Sequence, residues 1–361
     1  MPKQDSKRAR IGIVGAGWWS TQAHLPSLTT YDKVEAVALA DLNPDKLKAA
    51  ADKYGVERRY TDVGEMLDKE HLDGLVVATN HAAHFPVAKQ VLERKIGLML
   101  EKPMVLKASE ARALQALAEQ NGTPLVIGYP WHFVPQHMQL REMILAGKLG
   151  DIQFVSNLFA SMVLEFLRGR PQAYASIFNY PVTGPTAATY SEPSVAGGGQ
   201  GYLQVTHSAA LLLWLTGLKP VSVSAFMERF DLKVDLVDAI NVRFDTGALG
   251  SLASTGAIAT KQSGNQKLDY RIFGTEGYAA LEVLQGTCTL YLNDGSVQHL
   301  EPTPLSKTYP QADTSRHLVD LLLGHTTTNI SPADIGVRTV ELLEAAYRSA
   351  TEGRVVRIDE L

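Results

Sequence analysis

Glycines, carboxylates and basic side chains recur in this chain where short apolar runs end, and such endings can house a nucleotide-dependent reaction. Ile11–Val14 runs into Gly15-Ala16-Gly17-Trp18-Trp19-Ser20, a dinucleotide pattern with Ser20 in place of the usual third glycine. The first glycine permits a tight turn, the second lets backbone amides approach a pyrophosphate, and the helix that follows favours negative charge at its start. Gly15, Gly17, Trp18 and Trp19 are therefore cofactor candidates. Asp41 ends the next run, 26 residues after Gly15. A carboxylate there can accept hydrogen bonds from ribose hydroxyls and repel a 2′-phosphate, which favours NAD over NADP; the alternative is a turn cap. Two later runs end in Thr79-Asn80-His81, with His84 three residues on, and in Glu101-Lys102-Pro103. Ligands of open α/β sheets bind at the C-terminal edge of the strands, so Thr79, Asn80, His84, Glu101 and Lys102 join the cofactor set.

The elements that must position these residues read as βαβ units. Ile11–Val14, Val34–Ala40, Leu75–Ala78, Leu98–Leu100 and Leu125–Ile127 are the expected strands. Asn43-Pro44 and Gly55 bracket a helix over Asp45–Tyr54, and Asn121-Gly122 end another over Ser109–Gln120. After Gly128 the texture changes to strand-like alternation, which divides the chain into 1–128 for the cofactor and 129–361 for the substrate. Asp245-Thr246-Gly247 and Asn293-Asp294-Gly295 read as hairpin turns. The strands expected there are Val221–Phe230, Ala239–Phe244, Leu249–Thr255, Tyr270–Phe273, Tyr278–Leu284 and Thr289–Leu292. Ser161–Gly199 shows little periodicity yet carries Tyr174, Phe178, Tyr180 and Tyr190, and long stretches of that kind are usually functional or mobile. Ser331-Pro332-Ala333-Asp334 matches a capping box and predicts a helix to about Thr351.

Composition excludes several other classes. The 361 residues are 45% hydrophobic and 20% charged, as in ordinary globular chains, which suits two domains. Lys plus Arg number 34 against 38 Asp plus Glu, a net charge of −4, and nucleic acid is not expected as a partner. A single cysteine, Cys288, rules out an intramolecular disulfide and a four-thiolate zinc site, and fits a reducing cytosol. No metal is expected. Met1–Arg10 is polar and Ala209–Leu218 is too short to span a bilayer, so neither a leader nor a membrane role is expected.

Taken in order, Gly15-Ala16-Gly17 with His24-Leu25-Pro26, Asp41, Ala78-Thr79-Asn80 with His84, and Glu101-Lys102-Pro103 resemble the glucose–fructose oxidoreductase and inositol dehydrogenase (Gfo/Idh/MocA) family. Gly147–Gly150, Gly197–Gly199 through His207, and Ala345–Ala350 to Gly353 extend the resemblance over nearly the whole chain. It implies an α/β protein with an N-terminal Rossmann domain and a C-terminal α+β domain built on a large, mostly antiparallel, open-faced sheet. It also implies a homo-oligomer, a dimer or tetramer, formed through that sheet face. The family's lysine corresponds to Lys102 and its catalytic helix to the one carrying His207. Oxidising a secondary alcohol needs a base near neutral pKa and a group that stabilises the alkoxide, roles that Lys102 and His207 suit. Many members carry an Asp four residues before the histidine; here that position is Leu203, and Gln204 is the polar neighbour expected to contact substrate or the His207 ring. Trp131 could stack on a sugar ring and His132 could bond a hydroxyl, the alternative being core packing at a domain junction. The resulting expectation is an NAD-dependent dehydrogenase acting on a secondary ring hydroxyl, such as that at C3, of a sugar, glycoside or cyclitol. An NAD-retaining redox glycoside hydrolase or lyase shares every motif, and an NAD-binding regulator without turnover is a third reading.

Overall fold

The computed structural model describes residues 7–361, so Met1–Ser6 of the polar start lie outside the described residues. Short aliphatic runs form a first sheet of six strands: β1 (Ala9–Val14), β2 (Val34–Ala40), β3 (Arg58–Tyr60), β4 (Gly74–Val77), β5 (Gly97–Leu100) and β6 (Leu125–Ile127). Every pairing is parallel and the order is β3-β2-β1-β4-β5-β6. β4, β5 and β6 are buried throughout, as parallel strands must be when both sheet faces are covered. Strand order reverses between β1 and β4, which opens a crevice at their C-terminal ends. The helix Pro44–Tyr54 forms as its flanks predict: the Asn43 side chain accepts from the Asp45 and Lys46 amides at 3.0 Å, and Gly55 stops it with φ 68°.

The second sheet has nine strands: β7 (Ile152–Ala160), β8 (Pro220–Glu228), β9 (Val237–Phe244), β10 (Leu249–Thr255), β11 (Lys267–Gly274), β12 (Gly277–Glu282), β13 (Thr287–Leu292), β14 (Val297–His299) and β15 (Val356–Arg357). Their order is β14-β13-β12-β11-β7-β10-β9-β8-β15. Only β7 and β10 run parallel; the other described pairs are antiparallel. The inner face packs on two helices, Thr206–Thr216 and Ala333–Glu352. The first is buried along its whole length, in keeping with a sequence that is apolar on nearly every side. On the outer face, Leu249, Phe154, Phe273, Tyr278 and Tyr291 stand opposite one another in register across five adjacent strands.

The two layers are interlocked. Helix Asp313–Leu322, late in the chain, returns to the first sheet, where Leu318 and Val319 join Ile11, Ile13, Val76 and Met99 in one buried cluster. Ser331 bridges the layers as well, its hydroxyl donating to Ile127 O at 2.7 Å. That contact corrects the sequence reading of Ser331–Asp334. Helix Ala333–Glu352 has Pro332 at its N-cap and no side-chain cap, because the Ser331 hydroxyl is committed to β6. Among the described residues, no helix is long and apolar enough to cross a membrane.

Candidate active site

The crevice begins at the turn after β1. Gly15 adopts φ +104°, and a Cβ there would lie 2.4 Å from Ala78 O, so only glycine lets β1 and β4 end this close together. A Cβ at Gly17 would meet nothing within 4 Å, which leaves open space beside the amides at the helix start. Asp41 borders that space. Its Oδ2 accepts from Ala16 N at 2.7 Å and its Oδ1 from Asn43 N at 2.8 Å, so the carboxylate is fixed against the turn with lone pairs to spare for hydroxyl donors. An open glycine turn, a helix N-terminus and a fixed carboxylate together fit a dinucleotide.

At the end of β5, Glu101 is buried and held by three hydrogen bonds. Oε1 accepts from Trp19 Nε1 at 3.0 Å and from His24 Nε2 at 2.8 Å, and Oε2 accepts from Lys102 N at 3.1 Å. Burial pushes the Glu101 pKa up, yet the hydrogen bond and charge of His24, with Lys102, outweigh it and hold the carboxyl below its ordinary value. Gly128 provides the room, since a Cβ there would lie 2.9 Å from the Glu101 carboxyl carbon. Lys102 reaches across to the second domain, where its Nζ donates to Leu203 O at 3.0 Å. Burial lowers the Lys102 pKa to about 8, with the Glu101 charge acting the other way.

Leu203 lies in a π-helical turn, Gly201–Val205, that leads into helix Thr206–Thr216. Such turns often mark functional sites, and here the turn presents the Leu203 carbonyl to the crevice while the first turn of the helix that follows presents the His207 ring. His207 is 5% exposed, its Nδ1 has no partner among the described residues, and Trp131 packs on it with ring centroids 5.2 Å apart. Burial, then the charge of Lys102, hold its pKa well below 6.5, so the imidazole is neutral.

Lys102 and His207 meet on one cavity of about 450 Å³, which Trp18, Thr79, Trp131 and Gln204 also line. Trp19 and Glu101 border it as well. Two expected residues take other places. His132 is fully buried away from the cavity, stacked on Trp214 at 4.7 Å with its Nδ1 3.0 Å from Ser331 Oγ. It is a core residue, because the turn Pro130–Phe133 points Trp131 and His132 in different directions. His84 is likewise completely buried, with Nδ1 2.8 Å from Pro103 O and Nε2 3.3 Å from Thr79 O. Burial lowers its pKa, the shorter contact assigns the single proton to Nδ1, and the ring ties the end of β5 to the loop after β4. Asn80 acts locally, accepting from Ala83 N at 3.1 Å.

Sequence reasoning missed Tyr309, which lines the cavity and packs edge-on against Trp131 at 5.6 Å and Trp19 at 6.1 Å. It sits alone in an unpatterned stretch and carries no local signal. His81 also lines the cavity, its Nδ1 2.8 Å from Ala196 O; burial lowers its pKa to about 3.

Residues 9–129 match the oxidoreductase family with an NAD-binding Rossmann fold, and residues 137–280 match the GFO/IDH/MocA C-terminal domain. D-apiose dehydrogenase of Paraburkholderia graminis is 30% identical over 144 residues, 40% of this chain and 38% of that protein. The rhizopine catabolism protein MocA of Rhizobium meliloti is 35% identical over 150 residues, 41% of this chain and 46% of that protein. The chain thus spans less than half the length of these two relatives. The solved structure of GenD2 from gentamicin A biosynthesis, in complex with NAD, is 25% identical with a TM-score of 0.77, covering 97% of this chain and 96% of that one. Both halves of the fold, the strand order and the glycine turn lead to one assignment: the chain belongs to the GFO/IDH/MocA oxidoreductase family, with an NAD-binding Rossmann domain at its N-terminal side.

Proposed function

We propose that this protein is an NAD-dependent dehydrogenase that oxidises a secondary ring hydroxyl of a sugar, glycoside or cyclitol. One observation carries the reading: Lys102, with a pKa of about 8, and the neutral imidazole of His207 face the same cavity at the edge where the glycine turn opens. In this reading residues 1–128 bind the cofactor and residues 129–361 recognise the substrate, with helix Asp313–Leu322 buttressing the first sheet from behind.

Oxidation of a secondary alcohol moves a hydride from carbon and a proton from oxygen, leaving a carbonyl. The nicotinamide supplies the hydride acceptor when NAD is bound. Lys102 takes the hydroxyl proton on Nζ, because it is the lining group whose charge changes near neutral pH. Anchoring to Leu203 O limits the directions in which its amine can point. His207, neutral, offers a ring nitrogen that accepts a hydrogen bond and orients the reacting hydroxyl, while Gln204 can bind a neighbouring one. Trp18 and Trp131 exclude water from the reacting face.

Incubating the protein with NAD and a panel of sugars, cyclitols and glycosides tests this directly, read as NADH absorbance and product mass. The expected product is a ketone two mass units lighter, with C3 the first position to check by borodeuteride reduction. Glycosidic cleavage without net NADH would assign the protein to the redox-neutral hydrolases instead.

Asp41 also predicts the cofactor. Asp41→Ser removes the charge that a 2′-phosphate would meet, so the NADP-to-NAD ratio of kcat/KM should rise by at least about tenfold. An unchanged ratio contradicts the choice of NAD.

The aromatic row on the open sheet face supports a homo-oligomer. Phe154 is 39%, Phe273 37% and Leu249 46% exposed, and contiguous apolar surface of this kind marks an interface. Sedimentation should show a dimer or tetramer that Phe154→Asp with Phe273→Asp converts to monomer; a wild-type monomer at micromolar concentration contradicts the reading. Cys288, buried with its thiol pushed up to about 12 by burial, suits a reducing cytosol.

A further inference from the structure

The cavity is unevenly furnished. Among the described residues its charged lining groups are Glu101 and Lys102, and the Glu101 oxygens accept from Trp19, His24 and the Lys102 amide. No guanidinium lines it among the described residues, and the Glu101 carboxylate is held in place by those three hydrogen bonds. Lys102, His207 and Gln204 line it together with Gln22, Gln266 and Gln311, whereas Met162, Phe166, Phe178 and Leu203, which share one apolar cluster, line another part.

That apolar part comes from the second domain. The parts that fit a dinucleotide, Gly15–Gly17, Asp41 and Thr79, belong to the first. Much of the apolar part is built by the segment that shows no periodicity in sequence. In the structure it folds into short helices, Leu164–Leu167, Ala175–Phe178 and Ala188–Ser191, around its own cluster of Phe166, Leu167 and Tyr174. Phe166 packs on Tyr174 at 4.6 Å, on Tyr190 at 5.3 Å and on Phe178 at 5.6 Å, and Trp18 of the first domain packs against both Phe166 and Phe178, 5.6 Å from each. The segment also reaches the first domain, where Lys53 Nζ donates to Pro181 O at 2.6 Å. It is an ordered aromatic platform beside the reacting centre.

A free hexose carries hydroxyls all around the rim of its ring, and a rim hydroxyl turned to these apolar side chains would lose water without gaining a partner. A planar apolar substituent buries its surface there and gains ring contacts. We infer that the Phe166–Phe178–Tyr190 platform is a subsite for an aromatic aglycone, so that the preferred substrate is an aryl glycoside whose sugar ring faces Lys102 and His207. This inference rests on the dehydrogenase reading above and narrows its substrate class.

The test compares methyl and phenyl glucopyranosides of both anomers with the wild-type protein and NAD. Phenyl should exceed methyl at least about tenfold in kcat/KM for the accepted anomer, and Phe178→Ala should bring that ratio near one. A ratio near one in the wild type, or one favouring methyl, overturns the subsite. Calorimetric titration of the same glycosides into the NAD-loaded wild type decides it without turnover and without relying on a variant that must fold. Tighter binding of phenyl supports the subsite even if no NADH forms, an outcome that would remove only the dehydrogenase reading. Equal affinities, or no binding of either, overturn the subsite.

Discussion

The hydrogen bond from Lys102 Nζ to Leu203 O joins the two halves of the site, and the rest of the cavity is arranged around it. A buried ammonium needs compensation, and the nearest carboxylate, Glu101, is itself shared among Trp19, His24 and the Lys102 amide. The amine therefore feels its burial more than its counter-charge, and its pKa falls to about 8. At the other end of the bond, a π-helical turn exposes the Leu203 carbonyl and starts the buried helix that carries His207. One cation thus sets the register between a strand end of the parallel sheet and a helix of the other domain. Leu203 stands where the resemblance implied a carboxylate, so its backbone oxygen is the acceptor that this chain offers the lysine.

The parts legible in the sequence were those with local causes. Gly15 was readable because its conformation admits no side chain, and Asp41 because the distance from β1 to the end of β2 is set by one crossover. Helix Pro44–Tyr54 carried its start and stop signals within its own residues. The strands that escaped notice have weak patterns. β3 is three exposed or half-buried residues at a sheet edge, and β15 has two residues. β7 hides its alternation, because Phe154 and Leu158 put apolar side chains on the outer face where polar ones would have marked it.

The residues placed wrongly from sequence depended on contacts far along the chain. His132 is drawn into the core by Trp214 and Ser331, 82 and 199 residues away. The Ser331 hydroxyl leaves its capping role for Ile127 O, 204 residues back. Tyr309 and the aromatic platform have no periodicity because they form no regular face; their rings converge only when both domains are assembled. Local signals therefore locate the glycine turn and its carboxylate, and long-range packing shapes the second domain's half of the cavity.

The central claim is that Lys102 exchanges the proton. The pH dependence of kcat/KM for alcohol oxidation tests it most directly. The neutral amine is the acceptor, so kcat/KM should rise with pH through about 8 and then level off, and Lys102→Met should lose both the limb and most of the rate. A Lys102→Met protein that keeps the same limb at a comparable rate would contradict the account.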